Sequence, residues 1–444
     1  MGRRRARSHW LRPAVITAAI GLLAAACSTS AGSVSPQSSG TKSQKETTST
    51  GFDKLIPPKV CGDPVTYQRS PQEKALLAQL PANVQSWYDS WSWEIKPTPW
   101  RTFKGVKGPW KIGYITLPLL GPWHVDAYNE VKKSFAEAKA KGLVTGHLYT
   151  YIQTDMATAT VQQQIQAIQQ MVSEGVNGII LHPLDAVAEA GAIDAAGRAG
   201  VPVVLEADDA PNSVYAINNH ANVNVSGASD LLKLLYNEGW FRGNKTYTTL
   251  QIRGPQGNSL EQAINAATVA ADSACKGIKS LGTLFTNWDN TTTKSDILQW
   301  LAAHPGQKIS FIQGEGGVTQ GILEAFMAAG SPIPIIGFNQ SMGGDYSWWL
   351  AHKSTYNTVG DSFDGGMATY AEFRILLRIL AGDGPKLNSI PLDPIHVDNA
   401  NIAQYAKPGL SVSAPGSLLG PADSAMTNAE LNYFFTKPGT PGGI

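Results

Sequence analysis

The chain has 444 residues, 43 % of them hydrophobic and 16 % charged, with a formal net charge of +1. That is enough apolar material for more than one core, and the near-neutral balance argues against nucleic acid as the main partner, which demands a clustered basic face. The three cysteines and eight histidines show no metal-ligand spacing, so a zinc-type centre is not expected.

Five arginines (Arg3, Arg4, Arg5, Arg7 and Arg12) precede an uncharged run from Ala14 to Ala26. The run is shorter than the roughly 20 apolar residues of a membrane-spanning helix. A basic start, a short apolar stretch and small residues before the cut read as a secretory signal peptide. Cys27 directly follows Ala24-Ala25-Ala26 and resembles the bacterial lipoprotein signal, in which the cysteine is lipidated and becomes the new N-terminus. The leucine usual three residues before that cysteine is Ala24 here, with Leu23 one place earlier; an ordinary cleaved signal is the alternative. Residues 1–26 are expected to be a lipoprotein signal peptide and 27–50, rich in Ser, Thr, Gly, Gln and Lys, a disordered tether. Losing the leader removes five positive charges and no acid, which leaves a mildly acidic body. Residues 51–105 form an extension carrying Trp87, Trp91, Trp93 and Trp100, and Asn83 to Trp93 reads as a helix with its aromatic face on the main body.

From Lys111 onward, strand-like and helix-like segments alternate. Lys111–Leu117 reads as a strand, Tyr128–Lys141 as a helix, and Leu148–Ile152 as a strand. An amphipathic helix (Val161, Ile165, Ile168, Met171, Val172), strand Gly178–Leu181, helix Ala186–Ala199 and strand Val201–Leu205 follow. A second series repeats the rhythm: strand Tyr247–Ile252, helix Leu260–Ala274, strand Gly282–Phe285, helix Thr293–Ala303, strand Ile309–Ile312, helix Thr319–Ala329, strand Ile333–Phe338. A long helix, Phe363–Ala381, comes next, then a Pro/Gly/Ser-rich tail from about Pro408 with one short apolar stretch, Leu431–Phe435. Two βα series imply an α/β protein with two doubly wound parallel-sheet lobes, whose ligands sit at the carboxyl ends of the strands.

Several short motifs stand in order. Strand one leads into Gly121-Pro122-Trp123-His124; Ile179-Ile180-Leu181-His182-Pro183-Leu184-Asp185 ends a strand; Ala199-Gly200-Val201-Pro202-Val203-Val204-Leu205 forms another. Gly254-Pro255-Gln256-Gly257-Asn258-Ser259 opens a helix, and Ile335-Ile336-Gly337-Phe338-Asn339 ends a late strand. Over about Val106 to Asp398 the chain resembles the type I periplasmic solute-binding proteins, in particular the ribose-binding branch of sugar ABC-transporter receptors. The resemblance implies two lobes joined by three hinge crossings, near Asn219–Asn222, Asp361 and Pro391, with the ligand closed into the cleft. It places 106–220 with 362–390 in lobe one, 221–361 with 391–405 in lobe two, and 406–444 in a C-terminal tail. Helix Phe363–Ala381 is expected to pack back on lobe one.

The resemblance carries ligand contacts onto Trp123, His124, Glu206, the Gln262–Ile264 stretch (Gln262 foremost), Trp288, Glu315, Asn339 and Asp361. Trp123 and Trp288 suit the two faces of a sugar ring, or a cation. The polar positions depart from the ribose pattern in one direction: arginines are missing and carboxylates kept or gained. Such acids need hydroxyl donors or a cation to satisfy them, so ribose itself is not expected. Asp185, just before a helix, reads as an N-cap, and Gly314-Glu315-Gly316-Gly317 as glycines permitting close backbone approach. With Cys27 assigned to lipid, Cys61 and Cys275 either pair as a disulfide or stay as two thiols. The expected function is a lipid-anchored extracytoplasmic receptor, monomeric and without cofactor, delivering a sugar or polyol to an ABC permease. An amine or cationic ligand, a membrane sensor as partner, and a glycosidase using Glu206 and Glu315 are the alternatives; an enzyme is not expected.

Overall fold

The computed structural model describes residues 54–444 apart from 90–92, 120, 157, 221–222, 315, 342 and 417–419. The leader, Cys27, the tether, Trp91 and Glu315 therefore lie outside the described residues. Strand β1 (Ile112–Thr116) is buried along its whole length, as a central strand covered on both faces must be. With β2 (Tyr149–Ile152), β3 (Gly178–Leu181), β4 (Val203–Glu206) and β5 (Ile217–Asn219) it makes a five-stranded sheet in the order β2-β1-β3-β4-β5. Every pairing in it is parallel.

Between these strands run α1 (Pro122–Ala140), α2 (Val161–Ser173) and α3 (Ala186–Arg198). Helix α1 starts at Pro122, well before the expected Tyr128, because proline is pre-shaped for the first helical position and needs no hydrogen-bond donor there. Trp123 and His124 thus ride on the first turn of a helix. Asp185 caps α3 as expected, accepting from the backbone N–H of Val187 (3.0 Å) and Ala188 (3.1 Å).

Helix α4 (Val223–Asn237), in a stretch where the sequence suggests no element, leads into the second series. Strands β6 (Tyr247–Arg253), β7 (Ile278–Phe285), β8 (Phe311–Ile312) and β9 (Ile335–Ile336) form a four-stranded parallel sheet, β9-β8-β6-β7. Helices α5 (Ser259–Asp272), α6 (Asn290–Ala303) and α7 (Thr319–Ala328) connect them. Strand β9 is shorter than the expected 333–338, since Pro334 has no N–H to give the ladder. Helix α8 (Gly344–His352) follows, also unforeseen.

Strand β10 (Val359–Ser362) then pairs antiparallel with the later β11 (Ile395–Asp398). Between them, α9 (Gly365–Leu380) packs on α1, β3 and β4 of the first lobe, as expected for the returning helix. The Asn218 N–H donates to the Asn388 carbonyl (2.8 Å), the Ile390 N–H donates back to Asn218 (2.9 Å), and Leu392 N–H reaches the His220 carbonyl (3.1 Å). The segments around 218–220, 359–362 and 388–398 thus run side by side between two α/β lobes. Of the two cysteine alternatives the paired one holds: Cys61 and Cys275 are joined, with Cα atoms 4.6 Å apart. In the extension a short helix (Ala82–Gln85) and a 3-10 turn (Ser86–Tyr88) stand where one helix to Trp93 is expected. Among the described residues no helix is long and apolar enough to cross a membrane.

Candidate functional site

At the carboxyl ends of both sheets lies a cavity of about 760 Å³, part of it open to solvent. The first lobe lines it with Trp123 and His124 from α1, His182 just past β3, and Ala207 just past β4. The second lobe contributes Leu260 and Ile264 from α5, Trp288 and Asn290 at the start of α6, Gln320 of α7, Gln340, and Asp345 of α8. This is where open α/β sheets place ligands, because strand ends and helix starts converge there.

On the first lobe, Trp123 meets His182 and His124 edge-on, with ring centroids at 5.2 and 5.3 Å, while the two imidazoles stack at 5.1 Å with 21° between planes. Trp123 Nε1, His124 Nε2 and His182 Nδ1 are buried and have no hydrogen-bond partner. Buried polar atoms are normally paired, so three orphans give this wall unmet hydrogen-bonding capacity. Burial holds His124 down at about 4. It pushes His182 well below the ordinary histidine value, helped by the nearby His124 and His220. Both rings are therefore neutral near pH 7 and offer one donor and one acceptor nitrogen each.

On the second lobe, the Trp288 indole lies between two glycines. A Cβ on Gly254 would stand 2.3 Å from the ring and one on Gly316 2.0 Å from it. This is the close approach expected of the 314–317 glycines; a Cβ on Gly314 would likewise meet the Gly337 carbonyl at 1.9 Å. Ala207, Trp288 and Gln340 have φ of 52°, 54° and 53°, so three of the five non-glycine residues with positive φ among the described residues line this cavity. Left-handed backbone costs on the order of 1 kcal/mol per residue, and such strain gathers at functional sites.

The residues carried over from the resemblance divide. Trp123, His124 and Trp288 meet in the cavity; Glu315 lies outside the described residues. Gln262 does not line the wall: its amide donates to the Gly257 carbonyl (3.0 Å), and Ile264, with Leu260, lines the cavity instead. Residues four apart share a helix face, and Gln262 sits between them on another side. Glu206 is fully buried behind Ala207, accepting from the hydroxyls of Tyr114 (3.3 Å) and Thr369 (3.1 Å). Alternation along β4 turns it into the lobe core, where burial raises it to about 8.

Asn339 is a structural bolt. It donates to the Gly314 carbonyl (3.0 Å) and accepts from the Asp361 N–H (3.3 Å). Asp361 stands on β10 and accepts from His396 Nδ1 at 2.8 Å, with Asp230 Oδ2 3.4 Å from the same nitrogen. Hydrogen bonds donated to the two carboxylates raise His396 to about 10, so it is a cation at neutral pH. These groups lie at the chain crossings and are not among the residues lining the cavity. No sequence motif singles out Asn290, Gln320, Gln340 or Asp345; the one legible signal belongs to His182, which directly follows a strand end.

Two parallel-sheet α/β lobes with an aromatic, hydrogen-bonding cavity between them define a two-lobed ligand-binding protein. Residues 112–378 match the family described as periplasmic binding protein domain, and the chain belongs to that family, with the type I fold. Among solved structures it is similar to an ABC transporter solute-binding protein from Thermobispora bispora (20 % identity, TM-score 0.56, 66 % of this chain and 87 % of that one). It is similar to one from Mycobacterium smegmatis with bound glycerol (15 %, TM-score 0.54, 70 % and 99 %). A Caulobacter myo-inositol binding protein bound to myo-inositol is also similar (16 %, TM-score 0.54, 68 % and 97 %). No curated protein matches the chain.

Proposed function

We propose that the chain is an extracytoplasmic solute receptor that takes an uncharged sugar or polyol between its lobes and hands it to an ABC permease. The observation that carries this reading is the cavity wall itself. It pairs an indole from each lobe with orphaned, neutral imidazole nitrogens, and among its described residues it has no Lys or Arg and a single carboxylate, Asp345. Apolar faces with a few placed polar groups are what a polyol ring with C–H faces and hydroxyl edges requires. Glu206 and Asp361 lie off the wall, which removes most of the charge that would favour an amine and leaves a glycosidase pair without Glu206. The solved relatives with glycerol and myo-inositol support the same ligand class. Anchoring through a lipid on Cys27 belongs to this reading.

The test is a thermal-shift panel of sugars, polyols, polyamines and quaternary amines. A ligand at 100 times its dissociation constant adds about 2.7 kcal/mol to stability. A rise with a neutral polyol that is lost in Trp123→Ala supports the reading; a rise with cationic compounds alone overturns it. Labelling of cells with a fatty-acid probe, lost in Cys27→Ser, checks the anchor.

A further inference from the structure

Residues 54–105 lie outside the matched family region, yet they are packed against both lobes. The head of this segment belongs to the second lobe. Cys61 is bonded to Cys275 just beyond α5. Asp63 pairs with Lys233 of α4 at 2.7 Å. Cys61 and Val65 share an apolar cluster with Leu231, Leu235, Ala267 and Phe311.

The rest of the segment belongs to the crossings and the first lobe. The Tyr88 hydroxyl donates to the Ser389 carbonyl (2.7 Å), and the Lys96 N–H donates to Asn388 Oδ1 (2.8 Å). Lys96 Nζ reaches the Pro211 carbonyl (2.7 Å), and Trp100 Nε1 reaches the Tyr215 carbonyl (2.7 Å). The chain then runs without a break into β1. Between head and body sits a tight elbow, where the Arg69 guanidinium covers the Tyr67 ring at 4.4 Å and donates to the carbonyls of Tyr88 and Trp93 at 2.8 Å each.

We propose that residues 54–89 and 93–105 form a brace across the hinge, held to the second lobe by the Cys61–Cys275 bond, that restrains the lobes from opening. This rests on the binding-protein reading only in assuming that the lobes move. Three chain crossings side by side leave a hinge free to rotate, because a few residues absorb the dihedral change. A fourth connection, covalent at both ends and packed in the middle, lets the lobes part only if the elbow unfolds or the body lifts off residues 388–389, 211 and 215.

The test needs no ligand, so it stands or falls separately from the ligand assignment. Small-angle X-ray scattering is recorded on the full chain carrying Cys27→Ser, oxidised and after treatment with a phosphine reductant. Mass spectrometry counts free thiols, and circular dichroism confirms that the fold persists. The reduced protein is expected to show a larger radius of gyration than the oxidised one. A second variant, Tyr88→Phe with Asn388→Ala, keeps the disulfide and removes the two side-chain hydrogen bonds between the segment and residues 388–389; it should also expand. Should reduction unfold the chain, this variant alone decides. Unchanged scattering in the folded reduced protein, or in the folded double variant if reduction unfolds the chain, overturns the brace.

Discussion

Trp288 can stand in the cavity only because Gly254 and Gly316 bring no side chain against its ring. Gly254 has no positive φ, so Gly254→Ala tests packing on the indole without backbone strain. It should weaken binding of the panel's best ligand about tenfold, or about 1.4 kcal/mol, by calorimetric titration. The histidine pair makes a second prediction at this scale. His124 is held at about 4 in the folded chain, against about 6.5 when unfolded. Its neutral form is the one that fits, so the associated stability is complete above pH 6.5 and is lost as pH falls towards 4. That window corresponds to about 3 kcal/mol, and urea titrations from pH 7 to 4.5 should show a shallower loss in His124→Gln than in the parent. Trp123 and Trp288, carried over from the resemblance, both line the cavity. Gln262 and Ile264 were not told apart in the sequence, since choosing between them requires the helix's rotation, which packing sets.

At the scale of elements, caps and turns were read well where the side chain acts on its own backbone. Asp185→Ala should cost about 1 kcal/mol by melting, since it removes the acceptor for two N–H groups at the start of α3. Pairing between elements was less visible. His396 on β11 meets Asp361 on β10 and Asp230 on α4, three positions far apart in sequence. Its folded value near 10 lies above the ordinary one, so its contribution is complete below about pH 6.5 and disappears as pH rises through 10. His396→Ala should therefore melt below the parent at pH 7 and converge with it above pH 10. Helix α4 escaped notice because it follows directly on a chain crossing, where no turn signal separates it from the strand before; α8 lies between β9 and β10.

For the whole molecule, the Cys61–Cys275 bond closes a loop of 214 residues. On the chain-entropy model such a link is worth about 5 kcal/mol, so Cys61→Ala with Cys275→Ala should melt at a markedly lower temperature, measured by calorimetry. The sequence by itself determined the class of fold, because the period of apolar residues switches between strand and helix in two runs and that alternation leaves few topologies. It also determined the helix cap at Asp185 and the glycines of 314–317, where local sterics suffice. Only the tertiary structure decided which polar side chains face the cavity. A carboxylate at a strand end points to the ligand or into the core according to the pleat, and Glu206 turned inward. It alone also showed that residues 54–105 link both lobes, since contacts between distant segments leave no period or spacing in the chain to be read.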